Sequence, residues 1–203
     1  MNNSLEYRST IDAQFQGICM QARNTSHSYG WVSITIHWVM AVLLIGMYFV
    51  GDYMVDLTYY DPLYHTLPYW HKSIGLLLGF ALIFRLVWNA VNPKPQVIEG
   101  APAFTHTLAK LGHFALYSLL IVLIVSGYLI STAKGKGIEV FNWFEIPALL
   151  ASNEQRGEIA GEVHEIAAFL FIVLVSIHAL AAVFHHVYWK DKTLTRMLGS
   201  SSK

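Results

Sequence analysis

Cysteine is nearly absent from this chain. Cys19 alone, in 203 residues, leaves no internal disulfide and no Cys-x-x-Cys motif for a metal or a covalently attached group. Charge is scarce too, at 13% of residues, where a soluble domain carries about 25%. Neither sign prevails: 13 Lys and Arg balance 13 Asp and Glu. A basic field for nucleic acid is therefore missing, and no nucleic-acid partner is expected. The first thirty residues lack an apolar run, so no cleavable signal is expected there. Residues 1–28 read as a flexible cytoplasmic N-terminal tail, with Met20 as a second candidate start.

What is abundant is hydrocarbon. The composition is 55% hydrophobic, gathered in four runs near 32–50, 71–91, 111–132 and 161–187. Each matches the roughly 20 apolar residues that one helical membrane crossing needs. Stretches such as "LLIVLIVSGYLI" and "FLFIVLVSI" are apolar on every side, unlike the helices of a soluble bundle, which keep a polar face. The expected fold class is all-α: an integral membrane four-helix bundle in lipid, spanning 29–197, with a C-terminal tail at 198–203.

Charge is sorted by side. With the N-terminus inside, Arg8, Arg23, Arg85, Lys94, Lys110, Lys190, Lys192, Arg196 and Lys203 fall inside, and Lys72, Lys134, Lys136 and Arg156 outside. Basic residues collect on the cytoplasmic face, so both termini are expected there, in a multi-pass membrane protein. The acids fall the other way, with Glu6, Asp12, Glu99 and Asp191 inside. The connection 134–162 is expected to lie on the outer surface as a short amphipathic stretch. Prolines 93, 95 and 102 end the second helix on the inner side.

Histidines stand where hydrocarbon should. A helix rises 1.5 Å and turns 100° per residue. His164 and His178, fourteen apart, therefore share a face about 21 Å apart along the axis. His37, early in the first helix, is level with His178. His71, opening the second, is level with His164. Two imidazoles at one depth on facing helices suit a six-coordinate haem iron. His113, at the inner end of the third helix, competes with His37. A proton or metal-ion transporter without haem is the rival of a different class, since ionisable groups at membrane depth also mark ion paths.

Other residues are placed by the same geometry. Arg85 lies fourteen after His71, at the inner level, where a haem propionate needs a cation; a snorkelling arginine is the plainer reading. Gly75 and Gly79 make a smooth stripe after His71, and Gly127 lies fourteen after His113. Such small residues admit a flat macrocycle or close helix packing. His185, seven after His178, is expected at a propionate or quinone headgroup near the cytoplasmic surface, with His186 and Trp189 beside it. His27, His65 and His106 are expected in loops.

With "SITIHW", "WHKSIG", "AKLGHFALY", "VHE" and "IHALAAVFHHVYWKDKTLTRM" in view, the chain from about Tyr29 to Met197 resembles the bacterial cytochrome b561 family. The resemblance implies two haems b, with ligands His37, His71, His164 and His178, and electron exchange with ubiquinone. It leaves open a periplasmic redox partner and a homo-oligomer. One branch of that family takes electrons from periplasmic superoxide, which makes a superoxide:ubiquinone oxidoreductase the alternative. An anionic substrate favours a cationic entrance. Asp52, Asp56 and Asp61 in the first outer loop oppose one, although Lys72, Lys134 and Lys136 offer local positive charge.

Overall fold

A computed structural model describes residues 21–96 and 102–199. Four long helices dominate: α1 (Trp31–Val55), α2 (Thr66–Val91), α3 (Ala103–Ser131) and α4 (Glu154–Phe184). All four are long and apolar enough to cross a membrane, with mean hydropathy of 2.0 to 2.7 over their central windows. Large apolar side chains cover the outside; Phe49 is 60% exposed and Leu180 69%. Such a surface belongs in lipid rather than water.

Each helix is longer than the apolar run that announced it. The run marks only hydrocarbon, whereas helices continue into the interface with polar residues. Thus α4 starts at Glu154, seven residues before the expected Gly161, because Asn153 caps it by accepting from the Arg156 amide at 2.9 Å. α3 begins at Ala103 directly after Pro102, so His106 is helical and not in a loop. His113 lies ten residues into that helix, deeper than its end. α2 stops at Val91, just ahead of Pro93.

The stretch expected to be amphipathic is a β-hairpin. Strands β1 (Ile138–Val140) and β2 (Phe144–Ile146) pair antiparallel, with Val140 opposite Phe144. Phe141 and Asn142 turn between them at φ 47° and 56°, the left-handed pair that a tight hairpin turn demands. Left-handed backbone costs a residue like Phe roughly 1–2 kcal/mol. Ring packing of Phe141 on Trp70 (5.3 Å) and Trp143 (5.6 Å) offsets it. The buried Ser73 hydroxyl ties the hairpin to α2, donating to the Glu139 carbonyl and accepting from the Phe141 amide, both at 3.4 Å.

Of the expected tail 1–28, residues 1–20 lie outside the described residues, as do 97–101 and 200–203. Residues 21–28 make specific contacts. Asn24 accepts from the Gly30 amide (2.9 Å) and the Ser33 hydroxyl (2.7 Å) and donates to the Pro93 carbonyl. A Cβ on Gly30 would sit 2.3 Å from the Ala22 carbonyl oxygen, so only glycine fits that crossing. At the other terminus α4 passes into a π-helical turn, His185–Trp189. Lys190 turns left-handed (φ 51°), and short α5 (Thr193–Met197) follows. The Met197 carbonyl accepts from the Trp38 indole at 2.7 Å, which returns α5 to α1.

All four long helices feed one core: Met40, Leu78, Leu82, Leu120 and Phe171, with Leu44 among the side chains packed against it.

Candidate functional site

Each long helix places one residue in each of two clusters, always fourteen positions apart: His37 and Gly51 on α1, His71 and Arg85 on α2, His113 and Gly127 on α3, His164 and His178 on α4. The constant interval spans about 21 Å of helix. The residues halfway along are Leu44, Leu78, Leu120 and Phe171, all in or against the apolar core.

The first cluster joins His37, Arg85, His113 and His178. The rings of His37 and His178 are 6.3 Å apart between centres, those of His113 and His178 5.3 Å. Arg85 Nη2 donates to His37 Nδ1 at 3.1 Å, and its Nε donates to the Tyr117 hydroxyl at 3.0 Å. Asn89 donates to the same hydroxyl at 3.3 Å. Tyr117 lies four after His113, on the same face, and that spacing is its one signal in the sequence.

The second cluster joins His71, His164, Gly51 and Gly127. His71 and His164 are also 6.3 Å apart. A Cβ on Gly51 would press on His71 Cε1, and one on Gly127 on His164 Cε1, each at 3.2 Å. These two glycines are seats for the rings. Ser126, next to Gly127, bonds His164 Nδ1 at 2.9 Å. His71 Nδ1 is buried without a partner. Gly75 and Gly79 front other things: Met47 at 3.6 Å and Ile124 at 3.3 Å, which are contacts of helix packing.

His185 and Trp189 form a third group, further along α4. Their rings are 4.5 Å apart. His185 Nδ1 is bonded to Asp191 Oδ2 at 2.5 Å. The π-helical turn and left-handed Lys190 bring the Asp191 carboxylate back to that ring. Burial alone would raise the Asp191 carboxyl. The bonds from His185, the Thr193 hydroxyl and the Thr193 amide together hold it below the usual carboxylate value.

Beside His71, on the hairpin side, Tyr69, Lys72, Lys136, Glu139 and Glu145 line an open cleft of about 430 Å³. It holds two ammonium groups and two carboxylates, so its charge is balanced.

The donor set defines what fits. Among the described residues, no three His, Cys, Asp or Glu side chains are grouped to hold a metal ion. Structural zinc needs about four ligands. A facing imidazole pair instead suits an ion whose other positions a planar group already fills. Glycine seats and the unpartnered His71 nitrogen fit that use. Fold and site thus define a multi-pass helical membrane protein with two pairs of facing histidines, one toward each end of the bundle.

A family profile described as prokaryotic cytochrome b561 matches residues 28–200, and the chain belongs to that family. Its members are haem-binding oxidoreductases of membrane electron transport, with haem of the b type. Cytochrome b561 homolog 2 of Escherichia coli (strain K12) is 44% identical over 183 residues, covering 90% of this chain and 97% of the relative. The probable superoxide oxidase CybB of Yersinia pestis is 26% identical, covering 84% and 95%. Cytochrome b561 homolog 1 of Escherichia coli (strain K12) is 25% identical, covering 81% and 93%.

Proposed function

We propose that the protein passes single electrons across a bacterial inner membrane through two haems b, between a periplasmic partner and the ubiquinone pool. His37 and His178 hold one haem, His71 and His164 the other. The observation that carries this is the equal 6.3 Å spacing of the two pairs. Two imidazole nitrogens at about 2 Å from one ion set their ring centres roughly 6 Å apart. The 5.3 Å spacing of His113 and His178 falls short of the 6.3 Å that two rings on opposite sides of one iron require, so His113 is assigned as a neighbour of the first pair.

Haem iron supplies the one-electron chemistry, and the chain does the rest. The glycine seats set the rings of the second pair. Arginine has no lone pair to offer, so its bond makes His37 Nδ1 an acceptor and leaves the ring proton on Nε2. To hold haem iron through Nε2, His37 would carry its proton on Nδ1 instead, and Arg85 would be free to pair with a haem propionate. The Asp191 carboxylate fixes Nδ1–H of His185, so His185 Nε2 and Trp189 are left for a quinone headgroup. The sorting of Lys and Arg supports a cytoplasmic location for this end and for both termini.

The apolar layer of Leu44, Leu78, Leu120 and Phe171 favours electrons over ions, because an ion path needs polar lining. The balanced cleft beside His71 gives no special draw to an anion such as superoxide.

A reduced-minus-oxidised optical spectrum with a pyridine haemochrome titration on detergent-purified protein tests the proposal. The expected result is two haems b per chain, and one in His164→Ala. Protein that is well folded and takes up no haem would overturn it.

A further inference from the structure

Ser126 is 3% exposed, on the α3 face that meets α4. Its Oγ has three neighbours: the Val122 carbonyl at 2.7 Å, the Leu123 carbonyl at 3.2 Å and His164 Nδ1 at 2.9 Å. A hydroxyl has one proton to give. Both carbonyls can only accept, and the shorter contact takes the proton, the usual back-bond of a helical serine. The oxygen then has only lone pairs for His164, so the ring must donate. We infer that Ser126 is a positioning residue that holds His164 with its proton on Nδ1 and its lone pair on Nε2, the form in which a histidine binds a metal.

This rests on the reading of His164 as a haem ligand. Gly127, the next residue, makes room for the same ring. The pair Ser126–Gly127 thus fixes both where His164 lies and which nitrogen it offers. Its opposite ring has no such help: His71 Nδ1 is buried and unpartnered. The two rings that would hold this haem are therefore unequal, one with a hydrogen-bond acceptor at Nδ1 and one without. An acceptor on the distal N–H makes an imidazole a stronger donor, which favours ferric over ferrous iron. Ser126 accordingly holds down the midpoint potential of this haem and leaves the other untouched.

The test uses the full chain, purified with haem, as wild type, Ser126→Ala, Ser126→Thr and His164→Ala. Haem content, the low-spin ferric signals in electron paramagnetic resonance and a redox titration are read for each. Ser126→Ala is expected to shift one ferric signal and raise one midpoint potential, and Ser126→Thr to restore both. If Ser126→Ala instead loses that haem, rescue by Ser126→Thr supports the inference, and failure of both variants overturns it in favour of simple packing. Wild-type signals and potentials in Ser126→Ala, with one haem lost in His164→Ala, overturn the inference and keep the ligand reading. Full haem in His164→Ala removes the ligand reading and this inference with it.

Discussion

Arg85 donates to His37 Nδ1 at 3.1 Å. A cation 48 positions along the chain thereby touches a ring proposed to bind iron, and its Nε is steadied by Tyr117. Arg85→Gln removes the charge and keeps a polar side chain. With Arg85 turned to a haem propionate, the hydrogen bond to that charged group would be worth about 1.5–3 kcal/mol, so without it haem at the first cluster should bind roughly tenfold to a hundredfold more weakly. Loss of a nearby cation also disfavours the reduced form, so that haem's midpoint potential should fall. Redox titration with haem quantification checks both, and an unchanged potential would show that Arg85 lies away from the cofactor.

Gly51 and Gly127 leave room for the rings of His71 and His164. Alanine at either position puts a methyl group 3.2 Å from ring carbon, so the ring must tilt. Haem content is expected to drop from two per chain toward one in Gly127→Ala and Gly51→Ala. Gly46→Ala is the control, since nothing lies within 4 Å of its added Cβ. It should keep full haem and gain up to about 1 kcal/mol in helix propensity.

Asp191 carries the acid sensitivity of the α4 terminus. Its carboxyl is held below its ordinary value by His185 and Thr193, against the opposing effect of burial. A depressed folded-state value means stability present above the unfolded value of about 3.9 and lost as pH falls through the lower folded one. Thermal unfolding should therefore show a falling midpoint below about pH 4. Asp191→Asn should unfold at lower temperature at neutral pH and show a flatter acid limb. An acid limb identical to the wild type's would assign the effect to other carboxylates.

Much of this architecture is legible in the chain because helix rise is constant. Fourteen residues between His164 and His178 imply the same separation in any straight helix, and four apolar runs leave few alternatives. Helix rotation and crossing are not written in spacing. Which residue of α3 meets His164 depends on how two cylinders roll together, so Ser126 emerges only from the packed structure. Gly51 repeats the His37 interval, but a glycine has no chemistry to draw attention. The hairpin is hidden for another reason: Phe141–Asn142 lacks the glycine that usually marks such a turn, and aromatic packing from α2 holds it instead. Asp191 reaches His185 through a π-helical turn, a register that a 100° wheel does not show.

The layer through Leu44, Leu78, Leu120 and Phe171 has a consequence for energy conversion. It is an insulator of low polarisability, so most of the voltage across the bilayer drops along that length. An electron passed between the two proposed haems would traverse it, and each 100 mV is worth about 2.3 kcal/mol per charge. Transfer between the pairs is then a working stroke against or with the membrane potential. The electrical state of the membrane, as much as the affinities of the two proposed haems, would set which way current runs.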